Sequence, residues 1–294
     1  MERRQVDEET VAVGGQEIAF RQSPGNQRTV VFAHGNSSSS RPWGQLMAGQ
    51  FGQRYRCLAL DLPGHGRSAP ASNHSIYSLP GYAATLAAFA RALAAEDAVI
   101  VGWSLGGHTA IETAPSLPEA AGFLISGTPP VASAAQMAEA SLPNPALNGG
   151  FSNPALNVGF SNPALNVGFS ASVSQDQALA HASSFVAPGS ALPLDEFVAD
   201  ILSTDGDARE GLFASVGEGR FADDVDIVAT LRRPLAILQG ESEQLVNLGY
   251  RRQLTIPALR RGAVQIVAGA GHAAHEEAPQ ELAGLLEQFI ADIG

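Results

Sequence analysis

The chain carries one cysteine, Cys57, in 294 residues, so no intrachain disulfide can form. Within Arg56-Cys57-Leu58-Ala59-Leu60, a strand-like run, that thiol is expected in the core. Histidines and acids nowhere fall at metal-ligand spacing, and His272 and His275 lack the further His and Asp partners a bound metal would need; neither metal nor cofactor is expected. No apolar run approaches the ~20 residues that span a bilayer. The start, Met1-Glu2-Arg3-Arg4-Gln5-Val6-Asp7-Glu8-Glu9, lacks the apolar region of a signal peptide, which makes the cytoplasm the expected compartment. Positive charge is scarce as well: 17 Lys and Arg face 29 Asp and Glu, a net charge of -12. That balance argues against nucleic acid and anionic membrane surfaces as partners. A neutral, apolar small molecule fits better.

What is present centres on Gly102-Trp103-Ser104-Leu105-Gly106, which follows the apolar run Ala98-Val99-Ile100-Val101 and opens into Gly107-His108-Thr109-Ala110-Ile111-Glu112. A strand, a Gly-flanked serine and a helix make a nucleophile elbow, in which side chains at Gly102 or Gly106 would collide with neighbouring backbone. An ordinary Gly-rich turn has the same outline, so the serine's partners decide. Those partners are a base, an acid to orient it and donors for an oxyanion, in the chain order Ser, Asp or Glu, His. Thr29-Val30-Val31-Phe32-Ala33 reads as a buried strand breaking at His34-Gly35-Asn36-Ser37, whose Asn36 N–H can supply one oxyanion donor. The Leu105 N–H, at the start of the elbow helix, supplies the other.

Downstream, Pro234-Leu235-Ala236-Ile237-Leu238-Gln239 is a strand-like run ending in Gly240-Glu241-Ser242-Glu243. Either glutamate can be the acid; Glu243 is favoured because the loop must leave the strand before a side chain can turn back. Val264-Gln265-Ile266-Val267-Ala268 then runs into Gly269-Ala270-Gly271-His272, the expected general base, ahead of a helix from Pro279 to Ile293. His275 is the competitor, expected to pack against or cap that last helix. His65 and His108 read as structural, making local hydrogen bonds, and His34 as shaping the oxyanion loop with its side chain turned away.

His34-Gly35-Asn36-Ser37-Ser38-Ser39, Asp61-Leu62-Pro63-Gly64-His65-Gly66, the elbow sequence through His108 and Ser126-Gly127-Thr128-Pro129-Pro130 resemble the α/β-hydrolases, and within them the metal-independent N-acyl-homoserine lactonases. The resemblance covers nearly the whole chain apart from one insertion. It implies a serine hydrolase that opens a lactone ring with a glutamate as triad acid, matching Glu243. In that family the part of the chain after the elbow carries a tyrosine near the active site; here alignment places His181 there, either donating to a substrate carbonyl or lying on the surface. Trp103 and Ser37 are the other expected substrate-binding residues. The same motifs occur in general carboxylesterases, and a ligand-sensing protein on a hydrolase scaffold is the reading from another class, against which the intact set Ser104, Glu243 and His272 speaks.

Strands and helices alternate along most of the chain, implying a mostly parallel sheet with helices on both faces and site loops at the carboxyl ends of the strands. Thr10 to Phe20, with Gly14-Gly15 at its centre, reads as a hairpin, and Tyr77 to Ala95 as an amphipathic helix. The α/β-hydrolase core is expected over residues 1–127 and 227–294, with a helical cap over 128–226. Inside the cap Asn144-Pro145-Ala146-Leu147-Asn148-Gly149-Gly150-Phe151-Ser152 recurs over 153–161 and 162–170. Units this short, opening on Asn-Pro and reaching Gly within two turns, predict short helical turns whose Leu and Phe either face the substrate entrance or cover the core.

Overall fold

The structure, a computed structural model, describes residues 6–141 and 163–294. Strands β1 (Asp7–Val13) and β2 (Gln16–Gln22) form the expected hairpin, longer by a few residues at each end. Gly14 and Gly15 turn it with φ of 56° and 81°, which glycine takes without strain. Six further strands follow: β3 (Gln27–Ala33), β4 (Tyr55–Leu60), β5 (Val99–Trp103), β6 (Gly122–Ser126), β7 (Leu235–Gly240) and β8 (Gln265–Val267). The eight stand in the order β1-β2-β4-β3-β5-β6-β7-β8, antiparallel at β1, β2 and β4 and parallel from β4 to β8.

Order reverses between β3 and β5, because the chain moves from β3 outward to β4 and then returns past β3 to β5. Such a switch point opens a crevice beyond the carboxyl ends of the two strands. Here those ends are Ala33, leading into His34-Gly35-Asn36, and Trp103, leading into Ser104.

Alternation along β5 assigns its side chains to two layers, Ile100 to one face and Val99, Val101 and Trp103 to the other. Helices Leu79–Ala92 and Leu105–Thr113 cover the first face through Tyr82, Leu86, Phe89 and Ile111, and helix Pro279–Ile293 covers the second through Leu282, Leu286 and Phe289. The first of these helices starts later than the apolar pattern suggests, because the Ser78 hydroxyl accepts from the Gly81 N–H and fixes the N-cap there. Cys57 lies wholly buried on β4, and burial pushes its thiol up to about 12.

Between β6 and β7 the chain leaves the sheet through helices Gln175–Ser183, Asp195–Ser203, Gly206–Gly217 and Asp224–Thr230. The first two repeat copies lie outside the described residues. The third forms a short helix, Pro163–Val167, beginning at its proline and ending before Gly168 as the Asn-Pro to Gly spacing predicts. Among the described residues no helix is long and apolar enough to cross a membrane.

A Cβ on Gly102 would stand 2.1 Å from the Gly106 carbonyl oxygen, and one on Gly106 would stand 2.2 Å from that of Ala33. Backbone on both sides cannot yield. Gly102→Ala is therefore expected to lower the unfolding free energy by roughly 1–3 kcal/mol or more in urea titration; a change below half a kcal/mol, or about 0.5, would contradict this account of the elbow.

Candidate active site

Ser104 sits at the tip of the turn with φ 55° and ψ -117°. This costs conformational energy and persists only because the residue is held from several directions. Its N–H donates to Ser126 O at 2.9 Å, and its carbonyl accepts from Gly107 N–H and from the Thr128 hydroxyl, each at 2.9 Å. The side chain is left facing a pocket that Asn36, Leu105, His108, His181 and His272 also line. Among the described residues neither the Asn36 nor the Leu105 N–H has a protein partner. The loop bearing Asn36 is pinned from behind: His34 Nδ1–H donates to Gly35 O at 2.7 Å, which leaves Nε2 to accept from Leu62 N–H at 2.9 Å. Burial lowers that imidazole to about 4, so it stays neutral with its ring turned away from the pocket.

Past β7 and β8 the chain turns Glu243 and His272 toward each other. Both carboxylate oxygens stand 3.0 Å from His272 Nδ1, and both side chains are 2% exposed. The carboxylate fixes the tautomer with hydrogen on Nδ1 and leaves Nε2 for the pocket. Burial pushes the Glu243 carboxyl upward, but His272, the Leu245 N–H at 2.9 Å and the buried Arg251 hold it below the usual range. Glu241 is elsewhere, accepting from Gly269 N–H and tying the two loops together.

Two of the expected substrate-binding residues lie beneath the pocket wall rather than in it. Trp103 is fully buried because β5 alternation sends it into the second layer, where its Nε1–H donates to the His272 carbonyl at 2.8 Å. Ser37 is buried with φ 55° and donates its hydroxyl to Asn36 Oδ1. His181, by contrast, is 3% exposed and lines the pocket, so it is not a surface residue. Burial, with His272 adding to it, lowers its imidazole to about 3. His275 stacks on Trp43 at a ring-centroid distance of 4.4 Å and meets the tilted ring of Trp103 at 4.5 Å, packing between the two tryptophans rather than capping the last helix.

Sequence reasoning missed Asp224. His108 reaches across the fold to it, Nδ1 to Oδ2 at 2.6 Å, and is not locally bonded as expected. The only sequence signal was an acid at a helix start, and such acids are usually solvated. One turn further along the elbow helix, Glu112 accepts from Ala222 N–H at 2.9 Å.

Most of the rest of the wall is apolar. Leu79, Met137, Leu212 and Val216 join Leu165 and Phe169 of the third repeat copy, which line the pocket and also pack against the core, so for that copy both expectations hold. The excursion is stitched to the site loops. Asn36 Nδ2 donates to Gly168 O at 2.5 Å, Ala273 N–H to Phe185 O at 2.6 Å, and Gln244 Nε2 to Val186 O at 2.7 Å. Glu277 accepts from both Ala187 N–H and Gly271 N–H, bridging the excursion to the base loop.

With an elbow serine at a switch point and a carboxylate-held histidine on the last loop, the alpha/beta hydrolase family matches residues 30–285, and the chain belongs to it. Over 98% of both chains it is similar to solved structures of the N-acyl homoserine lactonase AidH complexed with N-hexanoyl homoserine or N-hexanoyl homoserine lactone, at 30% identity and a TM-score of 0.87. Among curated proteins it is 39% identical to the esterase Rv0045c of Mycobacterium tuberculosis over 101 residues, 34% of this chain and 33% of the esterase. It is 45% identical to human protein ABHD14A over 84 residues, 28% of this chain and 30% of that protein. The match thus spans about a third of the length of these curated relatives.

Burial pushes Glu112 up to about 7, against the pull of the Ala222 N–H. A carboxyl whose folded value is raised binds more protons folded than unfolded, so its contribution to stability falls as pH rises from the ordinary carboxylate range through about 7. Glu112→Gln, which keeps an acceptor for Ala222, is expected to raise the melting temperature at pH 8 and to change it little at pH 4. Equal shifts at both pH values would refute the assignment.

Proposed function

We propose that this chain is a serine carboxylic ester hydrolase that opens lactones, N-acyl homoserine lactones first among them, and so quenches signals of that class. The observation that carries the reading is the buried Glu243–His272 pair, whose His272 lines one pocket with Ser104, in a chain similar over 98% of its length to an N-acyl homoserine lactonase. Residues 128–226 are read as the cap and the flanking segments as the core.

In this reading His272 Nε2 takes the Ser104 proton as Oγ attacks the lactone carbonyl. The N–H groups of Asn36 and Leu105 receive the oxyanion, together worth several kcal/mol of barrier lowering, about 3 for each donor in comparable sites. Glu243 holds the imidazole's orientation and balances the imidazolium. His272 returns its proton to the ring oxygen as the C–O bond breaks, leaving an acyl-enzyme whose alcohol is still attached to the acyl group. Water, activated by the same histidine, releases the hydroxy acid. His181, where the lactonases resembled carry a tyrosine, is neutral at working pH and serves as a hydrogen-bond donor to the substrate. The apolar wall receives the acyl chain.

Acid release is expected from N-acyl homoserine lactones with a higher kcat/KM than from open-chain esters of equal chain length, and it should persist in strong chelator. Ser104→Ala should abolish it, and Glu243→Gln should lower kcat on the order of ten-thousand-fold, whereas Glu241→Gln leaves it nearly intact. Hydrolysis of open-chain esters alone would make the protein a general carboxylesterase. Ligand binding without turnover would make it a sensor.

Removing residues 144–161 leaves one complete unit, Asn162 to Ser170, with Leu165, Gly168 and Phe169 in place. Removing 153–170 instead leaves the first copy before Ala171, which differs only by glycine at the position of the buried Val167. Loop closure changes by about 0.6 kcal/mol per doubling of length, so both variants are expected to fold. The first should retain wild-type chain-length preference, and the second should melt lower and discriminate less. Aggregation or loss of all ester hydrolysis in the first variant would contradict this.

A further inference from the structure

The pocket contains a second histidine–carboxylate unit that the proposed reaction does not use. His108 lies in the first turn of the elbow helix, four residues beyond Ser104 at its N-cap. It lines the pocket together with Ser104 and Leu105. Its Nδ1 is 2.6 Å from Oδ2 of Asp224, a side chain with no exposure at all.

We propose that His108, held by Asp224, is a specificity-determining residue whose Nε2 accepts a hydrogen bond from an N–H on the substrate, selecting lactones and esters that bear an acylamino group beside the scissile carbonyl. This rests on the reading that Ser104 is the nucleophile. A carboxylate is an acceptor only, so the contact at 2.6 Å places the imidazole hydrogen on Nδ1 and turns the Nε2 lone pair outward. Of the titratable groups near the unit, Glu112 on the same helix and Asp223 beside Asp224 are acids and Tyr250 donates its hydroxyl to Pro130 O, so none of them offers a hydrogen to Nε2. Among the described residues the hydrogen bond of this ring is made through Nδ1, and no protein group meets Nε2. The pocket wall also carries Leu79, Met137, Leu212 and Val216, whose side chains offer no donor.

The geometry of an α-acylamino carbonyl matches this placement. With its carbonyl carbon over Ser104 Oγ and its oxygen toward the Leu105 N–H, the amide nitrogen is two bonds from the reacting carbon, within one helical turn's reach of the serine. A substrate that dehydrates Nε2 without offering a donor leaves a buried acceptor unsatisfied, and sites built around such a bond discriminate strongly against analogues lacking it. Proton transfer to Ser104 does not require this histidine, because Glu243 and His272 form a complete acid–base pair of their own.

The test compares N-hexanoyl homoserine lactone with the analogue in which CH2 replaces the amide N–H, reading the ratio of their kcat/KM values within each enzyme. Wild type is expected to favour the amide by about tenfold or more. In H108F the ratio should fall toward one, and in H108Q, which retains an acceptor, part of it should survive. D224N is expected to lower the ratio as well, because an amide N–H donating to Nδ1 moves the ring hydrogen to Nε2. A merely structural histidine would lower both rates together and leave the ratio unchanged. A ratio near one in wild type, or an unchanged ratio in any folded variant lacking the acceptor, overturns the proposal. If wild type opens neither lactone, it is the lactonase reading that fails, and the same ratio is then read on the corresponding open-chain methyl esters.

Discussion

The arrangement depends on one steric constraint, the contact of backbone with backbone where β5 passes into the elbow helix. Gly102 lies against the Gly106 carbonyl, and Gly106 against the carbonyl of Ala33 at the end of β3. Only this closeness lets the chain reverse within a few residues, and the reversal forces Ser104 to positive φ. Three consequences follow from the same turn. The serine side chain stands clear of the sheet, the Leu105 N–H is left without an intrahelical partner, and the first helical turn aims His108 at the same space as Ser104. The site is a by-product of tight packing at the switch point.

A second layer of order comes from bonds between the excursion and the loops. Glu277 holds Gly271, next to His272, to Ala187, and Gln244, next to Glu243, reaches Ser183 and Val186. Glu243, His272 and the segment above them therefore form one hydrogen-bonded unit. Since the third repeat copy supplies both part of the apolar wall and the carbonyl that receives the Asn36 side chain, the same segment that shapes the pocket also steadies the loop bearing Asn36.

Much of this was legible in the sequence because local rules governed it. The strand-to-helix turn at Ser104, the Gly14-Gly15 turn and the last helix all follow from glycine sterics, strand alternation and capping. Glu243 was separable from Glu241 by loop length alone, and the two side chains indeed turn in different directions. What stayed hidden depends on contacts distant in sequence. Trp103 next to Ser104 suggested a lining residue, but strand alternation carries it into the second layer, under the loop bearing His272. His181 was ambiguous because helix Gln175–Ser183 is only weakly amphipathic, so nothing local marks its buried side. Asp224 pairs with a residue 116 positions away, and no spacing rule reaches that far.

The central claim is that Ser104 is an activated nucleophile. Treating the full chain with a fluorophosphonate and mapping the adduct by peptide mass spectrometry tests it directly, because such probes phosphonylate only a serine whose proton an adjacent base removes and whose developing charge is stabilised. The account predicts one adduct, on the peptide containing Ser104, forming slowly or not at all in Glu243→Gln. No adduct, or an adduct on another residue with Ser104 unmodified, would contradict it.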